Sequence, residues 1–155
     1  MGAGKSKVAE ELAARMHWKA FDMDKIIVDQ EQRSISEIFA ANGEPYFREI
    51  ESRVLLDLLA HRNAVIATGG GAFAQEANRI RMLESTMVVW LDVPLEVIIE
   101  RLRGDENRPL ARDPAKMKAL WEERRPMCEL AHVHVNGSHA PHVVADNVLQ
   151  CVRWY

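Results

Sequence analysis

The sequence predicts an α/β protein in which a mostly parallel sheet is covered by helices on both faces. Continuous apolar segments over 64–68 and 87–91 are typical of strands that are buried on both sides. Each is followed by a segment with helical periodicity, and this alternation favours parallel strands joined by helices. In such folds, ligands bind at the carboxyl ends of the strands.

The composition indicates one folded domain over residues 1–155. Of its 155 residues, 48% are hydrophobic and 28% are charged, and the formal net charge of -3 gives no positive field that could hold a nucleic acid. The apolar segments are far shorter than the roughly 20 residues that cross a bilayer. The first residues lack a secretory signal pattern, and Cys128 and Cys151 lie far apart, as expected for free thiols in a reducing compartment. We therefore expect a cytoplasmic monomer without nucleic-acid or membrane partners.

The first elements follow from periodicity and capping residues. Apolar residues at helical spacing predict a helix over 5–16, which begins where the first glycines end. A short strand over 19–21 leads to Asp22 and Asp24, and Asp24 is placed to cap a helix over 25–28.

Two helices are predicted next, separated by a glycine. Ser34 and Glu37 have the spacing of a capping box, which predicts the start of a short helix. Gly43 suits a left-handed end of that helix, and apolar residues at helical spacing then predict a longer helix over 44–61.

The second half of the chain continues the alternation. Three consecutive glycines over 69–71 follow the strand 64–68 as a bare backbone loop. Residues 103–113 are polar and interrupted by glycine and proline, which is typical of a mobile loop. The remaining predicted elements are helices over about 75–84, 95–102, 115–124 and 141–154 and a short strand over 133–135.

Residues 2–6, Gly2-Ala3-Gly4-Lys5-Ser6, contain most of a P-loop, whose full pattern is G-x-x-x-x-G-K-[ST]. In a P-loop the glycines let backbone N–H groups converge on phosphate, the lysine reaches the outer phosphates and the serine hydroxyl binds Mg²⁺. The first glycine of the pattern, and the strand before it, would lie ahead of Met1. Taken alone, this segment has a second interpretation as a glycine-rich N-terminus without function.

Asp22 and Asp24 are candidates for the chemistry at the end of the first predicted strand. If the strand continues through both residues, their carboxylates point the same way. One can then orient Mg²⁺ through water, while the other accepts a proton from an attacking hydroxyl or positions it. The alternative is an acidic turn that only caps the next helix.

Glycines and arginines form a second candidate group. Three glycines at the carboxyl end of a parallel strand allow a ligand to contact backbone amides, although a flexible turn is the alternative. Arg48 and Glu51 share one helix face, where a surface ion pair is the alternative interpretation. Arg108, Arg124 and Arg125 likewise have ordinary interpretations as solvated side chains.

Taken together and in this order, the motifs resemble the shikimate kinase family over nearly the whole chain. They are residues 2–6, 22–24, 47–51, 68–72, 108–110 and 124–129. The resemblance implies a three-layer fold of the P-loop NTPase and nucleoside monophosphate kinase type, with a mostly parallel sheet in the strand order 2-3-1-4-5. It also implies a substrate-binding segment over about 24–60 and a mobile lid over about 103–114. Strand 1 is expected to be absent here, which would split the sheet and leave main-chain groups unpaired at its edges.

The resemblance implies transfer of the ATP γ-phosphate to the 3-hydroxyl of shikimate, with Mg²⁺ as the metal ion. It implies catalytic roles for Lys5, Asp24 and Arg108 and metal binding by Ser6 and Asp22. The nucleotide would contact Gly2, Ala3, Gly4, Lys5, Ser6, Lys7, Arg101, Arg108 and Pro141. Shikimate would contact Asp24, Phe39, Phe47, Arg48, Glu51, Gly69, Gly70, Gly71, Leu110 and Arg124, with Arg48 and Arg124 on its carboxylate.

Three side chains depart from the family pattern: Lys7 replaces the usual threonine, Cys128 the usual tyrosine and Ala111 a second leucine. Two other interpretations stay open. A related small-molecule P-loop kinase, such as a gluconate kinase, is one of them, and the 47–51 and 69–71 motifs count against it. The other is a non-catalytic homologue that binds nucleotide or shikimate, which the incomplete P-loop favours.

Overall fold

The structure is a computed structural model, and it describes residues 2–103 and 113–152. Most of the predicted lid, with Arg108, Leu110 and Ala111, lies outside the described residues. In chain order the elements are α1 (Lys5–Met16), β1 (Lys19–Asp22), α2 (Met23–Glu31), α3 (Ile35–Leu59), β2 (Ala64–Ala67), α4 (Gly70–Ala74), α5 (Glu76–Ser85), β3 (Val89–Asp92), α6 (Leu95–Leu102), α7 (Pro114–Cys128), β4 (Val133–Asn136) and α8 (Pro141–Val152).

The strands form two separate parallel pairs. β1 pairs with β2 from Lys19 opposite Ala64 to Asp22 opposite Ala67, and β3 pairs with β4 in the same direction. Within residues 2–103 and 113–152 no strand lies between the two pairs. The predicted parallel α/β fold is therefore confirmed, and so is the expected split, because β1–β2 and β3–β4 correspond to strands 2-3 and 4-5 of the family order.

Helices cover both faces of the strands. On one face of β3 and β4, Val135 packs with Val8 of α1 and Val144 of α8 in a buried apolar cluster. Trp90 alternates with its neighbours along β3 and therefore points to the other face, where α7 lies. A larger cluster joins α2 and α3 to the strand pair β1–β2. None of the described helices combines the length and the apolar composition that a membrane span requires.

Helix α3 contains the predicted glycine break. Ser34 Oγ accepts a hydrogen bond from Glu37 N at 3.2 Å, and Glu37 Oε2 accepts one from Ser34 N at 2.7 Å, so the predicted capping box is present. Gly43 has φ 80° and ψ 174° inside this helix. Glycine adopts this conformation readily, whereas any residue with a Cβ atom would be strained in it. The helix is therefore bent at Gly43, and the segment after the bend carries the charged residues of the site.

Asp22, and not Asp24, caps helix α2, so the predicted cap was wrong. Asp22 Oδ1 accepts hydrogen bonds from Asp24 N at 3.1 Å and Lys25 N at 3.3 Å. These bonds end the strand at Asp22 and place Asp24 in the first helical turn. The two carboxylates consequently do not share one face of an extended strand.

Two further local predictions were wrong. The glycine run is not a bare loop, because Gly69 is the N-cap of the short helix α4, which includes Gly70 and Gly71. Helix α7 does not end before Pro126 but continues to Cys128. Pro126 lacks only one N–H group of the last turn, and Glu129 N still donates to Arg125 O at 3.0 Å. Arg124 and Arg125 therefore lie within a helix whose faces fix their directions.

Candidate active site

The predicted phosphate-binding segment forms the start of α1. Gly2 and Gly4 have positive φ angles of 64° and 81°, and Gly4 is the N-cap of α1. Lys5 and Ser6 are half-buried in the first helical turn and Lys7 is exposed. This turn contains no acidic residue, so the positive end of the helix dipole is not neutralised within it. The backbone between Gly2 and Lys5, including Ala3, can thus present N–H groups to an anion.

The start of α1 and the carboxyl ends of β1 and β2 lie at one edge of the molecule. His17, with φ 55°, ends α1 and reverses the chain into β1, so that α1 packs against β1 and β2. Lys25 Nζ lies 3.4 Å from Glu10 Oε1, which joins α2 to α1. Since β1 and β2 are parallel, Asp22 lies beside Ala67, just before the glycine run. Residues that are distant in sequence therefore meet at this edge.

Two carboxylates lie at Gly69. A side chain at this position would place its Cβ 3.2 Å from Glu51 Oε1 and 3.5 Å from Asp24 Oδ1. Glu51 is only 2% exposed, and its Oε2 accepts hydrogen bonds from Arg48 Nη1 at 2.7 Å and Gln75 Nε2 at 3.0 Å. Burial raises the pKa of Glu51, and the nearby Asp24 adds to this rise, while Arg48 opposes it. The site thus holds two acceptors in contact with a main-chain turn.

Arg48 lies directly on the backbone of Gly71. A Cβ at Gly71 would be 2.7 Å from Arg48 Cζ, so only glycine leaves room for the guanidinium there. Arg48 Nε and Nη2 donate to Glu44 Oε1 at 3.0 and 2.9 Å, in addition to the bond with Glu51. Burial lowers the pKa of Arg48, but the bonds to Glu51 and Glu44 outweigh this effect and raise it. Arg48 is therefore fixed in position, and Glu44 and Glu51 largely balance its positive charge.

Arg124 approaches the same turn from α7. Its Nη1 atom lies 3.3 Å from the position of a Cβ at Gly70. Burial lowers the pKa of Arg124, and the positive charge of Arg48 lowers it further. In the described part of the chain no carboxylate forms a salt bridge with Arg124. A half-buried guanidinium without a salt bridge within the described residues favours binding of an anion.

One cavity of about 160 Å³ connects Arg124 with the phosphate-binding segment. Lys5, Gly69, Gly70 and Arg124 line its polar end, together with Cys128, whose thiol pKa is raised by burial. The rest of its wall is mainly apolar and extends into the gap between β2 and β3. Lys5 and Arg124 thus face one space, as a phosphate donor and an anionic acceptor would require.

The other predicted site residues occupy two places. The rings of Phe39 and Phe47 have centroids 4.7 Å apart, and Arg48 Cζ lies 5.3 Å from the Phe47 centroid. Phe47 is 4% exposed and therefore supports Arg48 from the core. Arg101 Nη2 donates to the carbonyls of Gly137 and Ser138 at 3.1 and 2.8 Å, just before α8 begins at Pro141. Arg101 and Pro141 therefore flank one turn at the end of β4.

Gln75 was not among the predicted site residues. It follows α4 and donates to Glu51 Oε2 from 24 positions along the chain. A contact over this separation leaves no periodic pattern in the sequence. The only local signal is its position between two short helices, where a polar side chain must find a partner or water.

The site defines a class of protein, the α/β small-molecule kinases. Its features are the glycines at the start of α1, the cavity, and the arginines and carboxylates around Gly69–Gly71. A sequence model of the shikimate kinase family matches residues 1–153. The shikimate kinase of Persephonella marina is 36% identical over 155 residues, which cover 99% of this chain and 94% of that protein.

Solved structures give the same result. Shikimate kinase from Aquifex aeolicus superposes with a TM-score of 0.90 at 36% identity, over 99% of this chain and 92% of that one. Shikimate kinase from Acinetobacter baumannii in complex with shikimate has a TM-score of 0.93 at 34% identity, over 99% of this chain and 88% of that one. The chain therefore belongs to the shikimate kinase family.

Proposed function

We propose that this chain transfers the γ-phosphoryl group of ATP to the 3-hydroxyl of shikimate and releases ADP and shikimate 3-phosphate. The observation that carries the proposal is the approach of Arg48 and Arg124 to the backbone of Gly70 and Gly71, beside a cavity that Lys5 also lines. Such an arrangement suits a small acid with several hydroxyl groups, because guanidiniums bind carboxylates and carboxylates accept bonds from hydroxyls.

On the acceptor side, Arg124 and Arg48 bind the carboxylate of shikimate and the amides of Gly70 and Gly71 contribute hydrogen bonds. Glu51 and Asp24 accept hydrogen bonds from its hydroxyls, and Asp24 is the base for the attacking hydroxyl. Both carboxylates lie close to Gly69, which supports these roles for Glu51 and Asp24. The segment 24–60 supplies most of these groups, with Phe39 and Phe47 as its aromatic wall and Leu110 from the lid.

On the nucleotide side, the backbone of residues 2–7 and the Lys5 ammonium bind the phosphates. The unneutralised first turn of α1 supports this role. Arg101 and Pro141 flank the adenine, which their position on either side of one turn supports. Arg108, in the predicted lid over 103–114 and outside the described residues, would contact the transferred group.

Ser6 would bind Mg²⁺ directly, and Asp22 would orient the ion through water. The chemistry of the donor set fits, because a hydroxyl and a carboxylate are the oxygen ligands that this ion prefers, and both residues lie at one edge. Bound there, Mg²⁺ would neutralise charge on the β- and γ-phosphate oxygens.

Phosphoryl transfer requires mainly alignment and positive charge, which this chain provides with few groups. Asp24 takes the proton of the 3-hydroxyl while that oxygen forms a bond to the γ-phosphorus. The bond from the γ-phosphorus to the bridging oxygen breaks, and ADP leaves with the electron pair. Lys5 and Arg108 balance the negative charge of the moving group.

The test is ADP release with and without shikimate, for the parent chain and for Asp24→Asn. We expect the variant to lose about 10²- to 10⁴-fold in kcat, the range typical of a missing acid or base, while ATP still binds. Asp29→Asn, which changes an exposed carboxylate on the same helix, is the matched control and should leave kcat unchanged.

The same assay separates the other two interpretations. ADP release with gluconate but not with shikimate would indicate a gluconate-type kinase. Binding of ATP and shikimate without any acceptor-dependent ADP release would indicate a non-catalytic homologue. Either result would overturn the proposal.

A further inference from the structure

Arg125, the neighbour of Arg124 on α7, forms a salt bridge with Glu129 at the end of its own helix at 3.4 Å and contacts three further side chains, two on β3 and one on α7. Its Nη1 and Nη2 atoms donate to the two carboxylate oxygens of Asp92 at 3.0 and 3.2 Å. Its Cζ atom lies 5.0 Å from the ring centroids of both Trp90 and Trp121. We call Arg125 with these three partners the Arg125 clamp.

The geometry of the clamp requires arginine. Two parallel bonds to one carboxylate use the flat fork of the guanidinium, and two aromatic rings use its flat faces. A lysine ammonium is a point charge and can satisfy neither contact fully. The Arg125 and Asp92 side chains are 35% and 36% exposed, so the pair is only partly shielded from water. The main effect of the Arg125–Asp92 pair is therefore to orient the two side chains, and its contribution to stability is small.

A second bond fixes the same part of α7. Trp121 Nε1 donates to the carbonyl of Val93 at 3.3 Å, one residue after Asp92. Trp121 and Arg125 are one helical turn apart, so α7 is attached to the carboxyl end of β3 at two points on one face. Two attachments on one face set the rotation of a helix about its axis.

This rotation determines where Arg124 points. Successive residues of an α-helix are turned by about 100°, so a helix that keeps Arg125 on Asp92 directs Arg124 elsewhere. Here Arg124 reaches the Gly70 backbone, and α7 also packs against α4. Arg124 has no salt bridge of its own within the described residues, so its direction depends on the neighbouring clamp and on the packing of α7 against α4 and α6.

We propose that Arg125 is a positioning residue for substrate binding: the Arg125 clamp fixes the rotation of α7 and so directs Arg124 at the carboxylate of the acceptor. The inference rests on the proposed function and deepens it. It assigns a role in acceptor affinity to a residue that lines the same cavity but does not lie against the glycine backbone.

The test compares the KM for shikimate, the KM for ATP and kcat in Arg125→Gln and Arg125→Lys. We expect the KM for shikimate to rise about tenfold in Arg125→Gln, because small displacements of a binding group have large effects. The KM for ATP and kcat should stay within about twofold. Arg125→Lys should resemble Arg125→Gln, and if lysine restored the parent KM, charge alone would matter and the clamp would be excluded.

Three further variants test whether the effect is purely structural. Lys118→Gln removes an exposed i,i+4 pair with Glu122 on the same helix and should change no kinetic constant. Asp92→Asn keeps the size of the side chain and weakens the clamp from β3, with an expected rise of about threefold in the KM for shikimate. In an Arg124→Gln background, Arg125→Gln should add less than about twofold, because the group that it positions is gone.

The outcomes distinguish the two proposals. A parent chain without shikimate-dependent ADP release overturns the proposed function, and the clamp's role falls with it. A parent chain that turns over shikimate, with variants whose KM for shikimate is unchanged, overturns the clamp alone. Equal losses for shikimate and ATP, or fully additive effects with Arg124→Gln, also overturn it, because a merely structural residue would act in this way.

Discussion

Arg48 and Arg124 face the same glycine backbone, but the protein holds their guanidiniums in opposite ways. Arg48 donates to Glu44 and Glu51, and these bonds raise its pKa against the effect of burial. Arg124 is half-buried without a salt bridge in the described part of the chain, and its pKa is lowered by partial burial and by Arg48. The comparison suggests that Arg48 and Glu51 supply a preformed shape, whereas Arg124 supplies the net positive charge.

Among changes to these two arginines and their partners, replacing Arg124 should have the largest effect on shikimate binding. In Arg124→Gln we expect kcat/KM for shikimate to fall roughly 100-fold, since bonds to a charged group contribute about 1.5–3 kcal/mol each. The melting temperature should not fall, because the variant removes a half-buried cation that has no salt bridge within the described residues. Steady-state kinetics and thermal unfolding measure the two effects. Loss of stability with unchanged kcat/KM would contradict the assignment of the net charge to Arg124.

Glu51, the buried partner of Arg48, should make the stability of the protein depend on pH. Because its folded pKa is raised, the folded state binds more protons than the unfolded state between the ordinary and the raised value. Stability should therefore fall as pH rises through this window, and Glu51→Gln should lack this slope. The free energy of unfolding, measured with urea at several pH values, should fall for the parent relative to the variant. A parent advantage that grows with pH would show that the pKa is lowered instead.

Glu44 should matter least. It bonds to Arg48 but its side chain is 62% exposed, and exposed pairs of this kind contribute little. Glu44→Gln should change the free energy of unfolding by less than about 0.5 kcal/mol and the KM for shikimate by less than about twofold. A larger change in KM would mean that Glu44, and not the buried Glu51, holds Arg48 in position.

Features that depend on neighbouring residues could be predicted from the sequence. The strand–helix alternation, the capping box at Ser34 and the break at Gly43 rest on local patterns, and the structure contains all three. The i,i+3 spacing of Arg48 and Glu51 likewise predicted their contact. The cap of α2 was missed because Asp22 and Asp24 are both suitable caps, and only the end of the strand decides between them.

Contacts between distant segments could not be predicted in this way. Arg125 and Asp92 are 33 positions apart, and Gln75 and Glu51 are 24 apart, so no local pattern records either pair. The partial burial that distinguishes Arg124 from a solvated arginine also arises only when α7 packs beside α4. The roles of Arg108 and Leu110 stay predictions, since both lie outside the described residues.

The bend at Gly43 divides helix α3 into two segments that each carry one phenylalanine of the site. Phe39 and Phe47 are eight residues apart, which along a straight helix is a separation of about 12 Å. Their ring centroids are nevertheless 4.7 Å apart, because the helix is kinked at the glycine between them. The spacing of this aromatic pair is thus set by a single hydrogen atom where every other amino acid carries a carbon.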